Sequence, residues 1–149
     1  MSNIKLRVKR ITPTAELPAY ATDGSACFDL KADLSTHQPI VEAGDPVIID
    51  TGLAFEIPAG HVMLIFSRSG HGFRHDIRLA NCVGVIDSDY RGEVKVKLTC
   101  DQADSYLGVG HGDRIAQALV LPLPSVEFEE IEELSKTARG TGGLGSTGA

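Results

Sequence analysis

Side-chain polarity in this chain switches with a period of two. Ile4, Leu6 and Val8 alternate with Lys5, Arg7 and Lys9, and Val94, Val96 and Leu98 alternate with Glu93, Lys95, Lys97 and Thr99. Successive side chains of a β-strand point to opposite faces, so each run reads as a half-buried strand. PVIIDTGLAFEIP (46–58) and HVMLIFS (61–67) read as two more, joined by the turn residues Pro58-Ala59-Gly60. DRIAQALVLPL (113–123) reads as another, stopped where Pro122 and Pro124 block the ladder. Between these runs come short turn signals: Asp23-Gly24, Ala43-Gly44-Asp45, Ser69-Gly70, Arg91-Gly92 and Gly110-His111-Gly112. Many short strands with such punctuation predict an all-β fold, an antiparallel sandwich or barrel of the jelly-roll kind. RHDIRLA (74–80) is the one place for a helix, and a short one. FEEIEEL (128–134) is ambiguous between helix and edge strand and leans to strand.

The bulk properties narrow the function classes. The chain has 149 residues, enough for one domain with a real core. Its longest strictly apolar run, VMLIF (62–66), is far too short to span a membrane. Met1–Arg10 has no apolar centre of the signal-peptide kind. These features predict a cytoplasmic protein, or a nuclear one in a eukaryote, without membrane partners. Three widely spaced cysteines, with no C-x-x-C, read as free thiols. The net charge of −6 argues against stable nucleic-acid binding, which needs a basic face. A polyanionic ligand would have to be met by a few local arginines and a metal cation.

Four interior stretches are too polar or too glycine-rich for plain strand and turn: GSACFDLKAD (24–33), SRSGHG (67–72), NCVGVIDSDYRGE (81–93) and GDRIAQ (112–117). In SRSGHG, Arg68 offers a planar fork of donors suited to phosphate, Ser69 a hydroxyl, and Gly70 close backbone approach. The same residues would also serve an ordinary turn. NCVGVIDSDYRGE reads as a β-hairpin whose Asp87 and Asp89, two apart on a strand, share a face. They fit a metal site or a general base, or equally a capped hairpin with solvated acids. The Asp113–Arg114 pair reads as structural, while Gln117 projects from a strand toward a ligand or a neighbouring chain. His71 and His75 are four apart, but no third ligand at a metal-site spacing accompanies them, which argues against zinc. No phosphate-binding G-x-x-x-x-G-K-[ST] and no G-x-S-x-G elbow occurs.

The chain closes on RGTGGLGSTGA (139–149), in which Gly140, Gly142 and Gly145 match G-x-G-x-x-G. As a dinucleotide turn that pattern needs a strand before it, a helix after it and an acid about 20 residues on. Four residues remain after Gly145. Taken in order, the four stretches and this tail resemble the five motifs of the trimeric dUTP pyrophosphatase family, from about Ala19 to Ala149. IDSDYRGE and RGTGGLGSTG carry most of the likeness.

The resemblance implies a jelly-roll protomer over 1–138, a homotrimer, and a C-terminal arm over 139–149 that closes a neighbour's site. It implies hydrolysis of dUTP to dUMP and pyrophosphate, with Asp87 as the catalytic carboxylate orienting a water against the α-phosphorus. Mg2+ would ride on the three phosphates, with Asp29 reaching it through a water. Arg68, Ser69 and Gly70 would hold the phosphates, and Gln117 would add a contact from another chain. Asn81 and backbone groups near Val85, Ile86 and Lys95 would match uracil, and Tyr90 would pack on the deoxyribose. In the arm, Arg139 would pair with the terminal phosphate, with Leu144 and Gly145 over the nucleotide.

Two positions depart from the family pattern. Leu144 stands where an aromatic residue usually stacks over uracil, which implies a weaker hold on the nucleotide or a looser closed arm. Ser67 stands where proline is common, with a small effect expected. Competing readings are a dCTP deaminase on the same fold, a nucleotide-responsive binding protein that controls a partner, and a jelly-roll capsid or lectin-like module.

Overall fold

The computed structural model describes residues 4–35, 37–144 and 146. Among them lie eleven strands and one short helix: β1 (Arg7–Arg10), β2 (Ala19–Tyr20), β3 (Phe28–Lys31), β4 (Ile40–Glu42), β5 (Val47–Glu56), β6 (His61–Phe66), α1 (Ser69–His75), β7 (Ile77–Leu79), β8 (Gly84–Ile86), β9 (Glu93–Cys100), β10 (Tyr106–Gly108) and β11 (Arg114–Pro122). They form a four-stranded sheet in the order β1-β5-β9-β7, a five-stranded sheet in the order β2-β3-β11-β6-β8, and a small β10-β4 pair. Every strand pairing is antiparallel. This is the all-β antiparallel sandwich that the alternation predicts.

The alternation also sets the core. β9 buries Val94, Val96, Leu98 and Cys100 and turns Lys95 and Lys97 outward. Across the sandwich, Leu30, Met63 and Ile115 of the five-stranded sheet join Ile49, Leu53 and Val96 of the other in one apolar cluster. Each such side chain removed from water contributes about 1.5–3 kcal/mol before entropy is counted.

Three expectations fail locally. The segment 128–134 forms no strand; Phe128 and Leu134 are almost fully exposed on their own chain. Its apolar residues have no surface of this chain to cover, so alternation there finds no partner. The helix is not at 74–80 but at Ser69–His75; Asp76, in the left-handed region at φ 54°, ends it, and Ile77–Leu79 is a strand. β8 and β9 do not pair with each other: β8 joins β6, and β9 lies between β5 and β7. Residues 81–93 thus cross from one sheet to the other rather than folding back as a hairpin. Asp87 and Asp89 consequently lie off the strand, in and beside a turn.

A polar knot fixes the centre of β5, whose pairing with β9 shifts register between Asp50 and Ala54. The Gly52 amide donates to Glu93 Oε1 at 2.9 Å. Thr12 and Thr14 both donate to the Asp33 carboxylate beside it, the latter at 2.7 Å. Gly52 sits at φ 63°, and a Cβ there would fall 2.7 Å from Ala15 Cβ and 2.8 Å from Thr12 Oγ1. Steric cost and left-handed strain add at this position, so Gly52→Ala is expected to cost about 2–4 kcal/mol, a fall in Tm on the order of 10 °C. Thermal unfolding followed by circular dichroism measures it; an unchanged Tm would show that the knot can relax.

Candidate active site

The five-stranded sheet carries most of the polar stretches singled out in the sequence. Asp29 is on β3, Gln117 opposite it on β11, and Phe66 opposite Gln117 on β6. Register therefore brings residues from three distant stretches into one row. Two residues beyond Phe66 the chain reaches Arg68, whose extended backbone (φ −84°, ψ 131°) turns it into α1. That helix contains two glycines and buries no residue. Its sequence gives little helical drive, and its position comes from the chain on either side.

Arg68 is gripped from several directions. Its Nε lies 3.3 Å from Asp29 Oδ1. Its Nη1 donates to the Arg114 carbonyl at 3.2 Å and meets His71 Nε2 at 3.3 Å. Arg114 Nη1 contacts the second Asp29 oxygen, also at 3.3 Å. One carboxylate thus stands between two guanidinium groups at this end of the sheet. The Asp29 and Arg68 side chains are 14% and 22% exposed, so the pair is partly shielded from solvent screening. Arg114 belongs to the site although the sequence reads it as structural; its partner became visible only through the β3–β11 register. Asp113 is structural as expected, accepting from the Gly110 amide at 2.7 Å across the turn.

Ser67 has a larger part than its departure from the family pattern suggests. Its hydroxyl accepts from the Leu79 amide at 2.9 Å, and its carbonyl accepts from Gln117 Nε2 at 2.9 Å. It ties the end of β6 to β7 and to β11. Gln117 is therefore held against the Arg68 end of its own chain. Ser69 and Gly70 are exposed at the start of α1.

Asp87 is elsewhere. β8 runs against β6 with Ile86 opposite Met63 and Gly84 opposite Ile65. Asp87 therefore continues past Met63, toward the end of β6 remote from Arg68. The four residue steps from Val62 to Phe66 alone span about 13 Å at ~3.3 Å each. Beside Asp87 opens a cleft of about 290 Å³ lined by Val85, Ile86, Asp87, Tyr90 and Lys95 among others. The Asp87–Arg91 turn is held by Arg91 Nη1, which donates to the carbonyls of Ser88 at 2.7 Å and Tyr90 at 2.9 Å. The Tyr90 hydroxyl donates to the Glu93 carbonyl at 3.0 Å. The Lys95 ammonium pairs with Asp50 at 2.5 Å and Glu93 at 2.9 Å, which holds its pKa well above the ordinary lysine value.

Asn81 lies at the opposite end of β8 from Asp87 and is not part of that cleft; its amide leans on the Val83 carbonyl at 3.4 Å. Arg139 is exposed, with Nε donating to the Gly142 carbonyl at 2.9 Å within a turn of the tail, and Leu144 is fully exposed. Gly145 lies outside the described residues.

The family model for dUTPase matches residues 14–148. The chain belongs to the dUTPase family. It is 45% identical over 145 residues to the deoxyuridine 5'-triphosphate nucleotidohydrolase of Nautilia profundicola, covering 97% of this chain and 99% of that one. Among solved structures it is similar to the dUTPase of Staphylococcus bacteriophage 80alpha with dUPNHPP, at a TM-score of 0.87 and 25% identity over 99% of this chain and all of that one. It also shares its fold with a mutant dUTPase of phage phi11 of S. aureus, described as revealing the coordination of a structural Mg(II) ion (TM-score 0.75, 22% identity, 87% of this chain and 98% of that one). Among the described residues of this family member no helix is long and apolar enough to cross a membrane.

Gly92 is what lets Tyr90 fold over the mouth of the cleft. A Cβ at Gly92 would fall 2.6 Å from the Tyr90 ring carbon bearing the hydroxyl. The obstructing atoms are the far end of a movable side chain, so the ring would yield rather than the fold. Gly92→Ala is expected to shift Tm by less than about 3 °C while displacing Tyr90. With three tyrosines and no tryptophan in the chain, the near-UV tyrosine band reads that displacement. An unchanged band would show that the ring does not depend on Gly92.

Proposed function

We propose that this chain hydrolyses dUTP to dUMP and pyrophosphate, as a homotrimer in the cytoplasm, with Asp87 as the catalytic carboxylate. The observation that carries the proposal is the separation just described, in a chain that belongs to the dUTPase family over nearly its whole length. An end bearing two arginines and a cleft with a carboxylate at its lip lie at opposite ends of one sheet. Neither half can act on a nucleoside triphosphate alone. Together, on neighbouring copies, they supply phosphate contacts, a base pocket and a base for water.

In this reading the cleft beside Val85, Ile86 and Lys95 takes uracil through backbone donors and acceptors. Cytosine would leave buried groups there unpaired, which is the strong form of discrimination. Tyr90 packs on the deoxyribose and leaves no room for a 2′-hydroxyl. Asp87, exposed at the lip, accepts a proton from water as that water attacks the α-phosphorus in line with the leaving pyrophosphate. Arg68, with Arg114 behind it, takes charge developing on the phosphates, and the free N–H groups at the start of α1 add backbone donors at Ser69 and Gly70. Residues 139–149 act as an arm over the nucleotide of a neighbour, with Arg139 on the terminal phosphate. The exposed apolar residues Val126, Phe128 and Ile131 fit a segment that lies across another copy on its way there.

The donor set bears on the metal as well. Among the described residues there is no group of three His, Cys, Asp or Glu side chains that could hold an ion, and both Asp29 oxygens already face guanidinium groups. This fits an ion that arrives on the phosphates, with Asp29 contacting it through a water. Mg2+ bound there would neutralise phosphate charge and favour the in-line geometry.

The direct test is pyrophosphate release from dUTP, dTTP, dCTP and UTP with Mg2+, for the natural chain and Asp87→Asn. Turnover is expected with dUTP alone, and Asp87→Asn is expected to lower kcat by about 10²–10⁴-fold at little change in KM. Equal turnover of dCTP, or an active Asp87→Asn protein, would overturn the proposal.

A further inference from the structure

His71 is a second, unassigned member of the Arg68 site. It sits on the first turn of α1, partly buried, beside Arg68, Asp113 and Arg114. Arg68 Nη1 lies 3.3 Å from His71 Nε2. A guanidinium only donates, so Nε2 must be the accepting, unprotonated nitrogen and the proton must sit on Nδ1. Nδ1 is buried and has no hydrogen-bond partner among the described residues. A buried donor left unsatisfied costs stability. The protein keeps this arrangement where a bulky apolar residue would avoid the cost.

The neighbours of the ring explain how it stays neutral. Burial, then the Arg68 cation, then His75 on the same helix and Arg114 at the start of β11, all lower its pKa below the ordinary histidine value; Asp113 opposes them. From β3, Asp29 faces the ring only by way of Arg68. The imidazole is therefore an acceptor at neutral pH.

We infer that His71 is a positioning residue: as the Nδ1–H tautomer it accepts from Arg68 Nη1 and, with Asp29 and the Arg114 carbonyl, fixes the guanidinium for phosphate. Three partners hold Nε and Nη1, whereas Nη2 has none among the described residues. Both flanks of the guanidinium are thus held, and Nη2 at its tip is left to donate. A protonated His71 cannot accept from Arg68 and repels it, so the hold is lost as pH falls through the lowered pKa. The inference rests on the phosphate role proposed for Arg68, but its first test does not.

That test is the long-range ¹H–¹⁵N spectrum of the histidine rings of the nucleotide-free protein, assigned with His71→Gln. The expected result is a neutral Nδ1–H ring at pH 7.5 with a pKa below 6.5, the ordinary value for histidine. An Nε2–H ring, or a charged one, overturns the inference whether or not dUTP is cleaved. The second test is steady-state kinetics from pH 5.5 to 8 on the natural chain, His71→Leu and His71→Gln, with folding checked by circular dichroism. Leucine offers no acceptor, and is expected to raise KM for dUTP about five- to tenfold with a much smaller change in kcat. Glutamine keeps an acceptor within reach and is expected to restore KM. The natural chain should show a rise in KM on acidification that His71→Gln lacks; titration of the substrate's own phosphate is common to both. An unaltered KM in His71→Leu, a failure of glutamine to restore it, or identical pH profiles each contradict the inference.

Discussion

Hydrogen bonding along β6 keeps Arg68 and Asp87 apart. β11 pairs with six consecutive residues of β6 on one side, and β8 pairs with three on the other. That ladder makes the strand a stiff spacer. Arg68 leaves one end, and Asp87 emerges beside the other. No side-chain rotamer spans the gap, and closing it would break the sheet that buries Met63 and Ile65. Separation of the two chemical halves is thus a property of the fold rather than of a particular loop state. The proposed homotrimer would resolve it, because one copy's carboxylate end could then face another copy's arginine end at every site at once.

The same spacer gives each half its own rigidity. At the Arg68 end, Asp29, Gln117 and Ser67 lock together through the β3-β11-β6 row, so the guanidinium is placed by three strands. At the Asp87 end, Arg91 staples the turn and Tyr90 is folded back over Gly92. Glu93, at the start of β9, accepts from the Gly52 amide, which links the cleft to the knot at the centre of β5. Preorganised halves leave little reorganisation for the moment of reaction. The tail is the exception. Its first residues form turns on themselves, and Leu144 covers nothing on its own chain.

The longer strands were legible in the sequence. β9 falls within a residue of its alternating run, because burial on one face writes itself into a period of two, and β5, β6 and β11 fall within a residue or two of apolar runs bounded by turn residues or prolines. What alternation does not encode is the partner. It marked 81–93 as strand and turn but could not tell a hairpin from a crossing between sheets. It marked 128–134 without saying that no surface of the same chain would receive it. α1 was illegible for another reason: with Gly70 and Gly72 in it and nothing buried, local sequence argues for a turn, and flanking structure overrides propensity. Among the site residues, Arg68, Asp87 and Tyr90 stood out by motif, and Asp29 by resemblance. Arg114 and His71 did not, since their importance lies in contacts at 3.3 Å that only register and helix placement create.

The proposed site is completed by two copies of the chain, and subunit mixing tests this most directly. Arg68→Ala and Asp87→Asn proteins, each inactive alone, would be unfolded together in equal amounts, refolded, and assayed for pyrophosphate release from dUTP. If each site takes Arg68 from one copy and Asp87 from another, random assembly leaves about one quarter of the sites intact, and about that share of natural activity should return. If both residues of a site came from one chain, every site would lack one of them. The mixture would then stay as inactive as its components, and the shared site would be refuted.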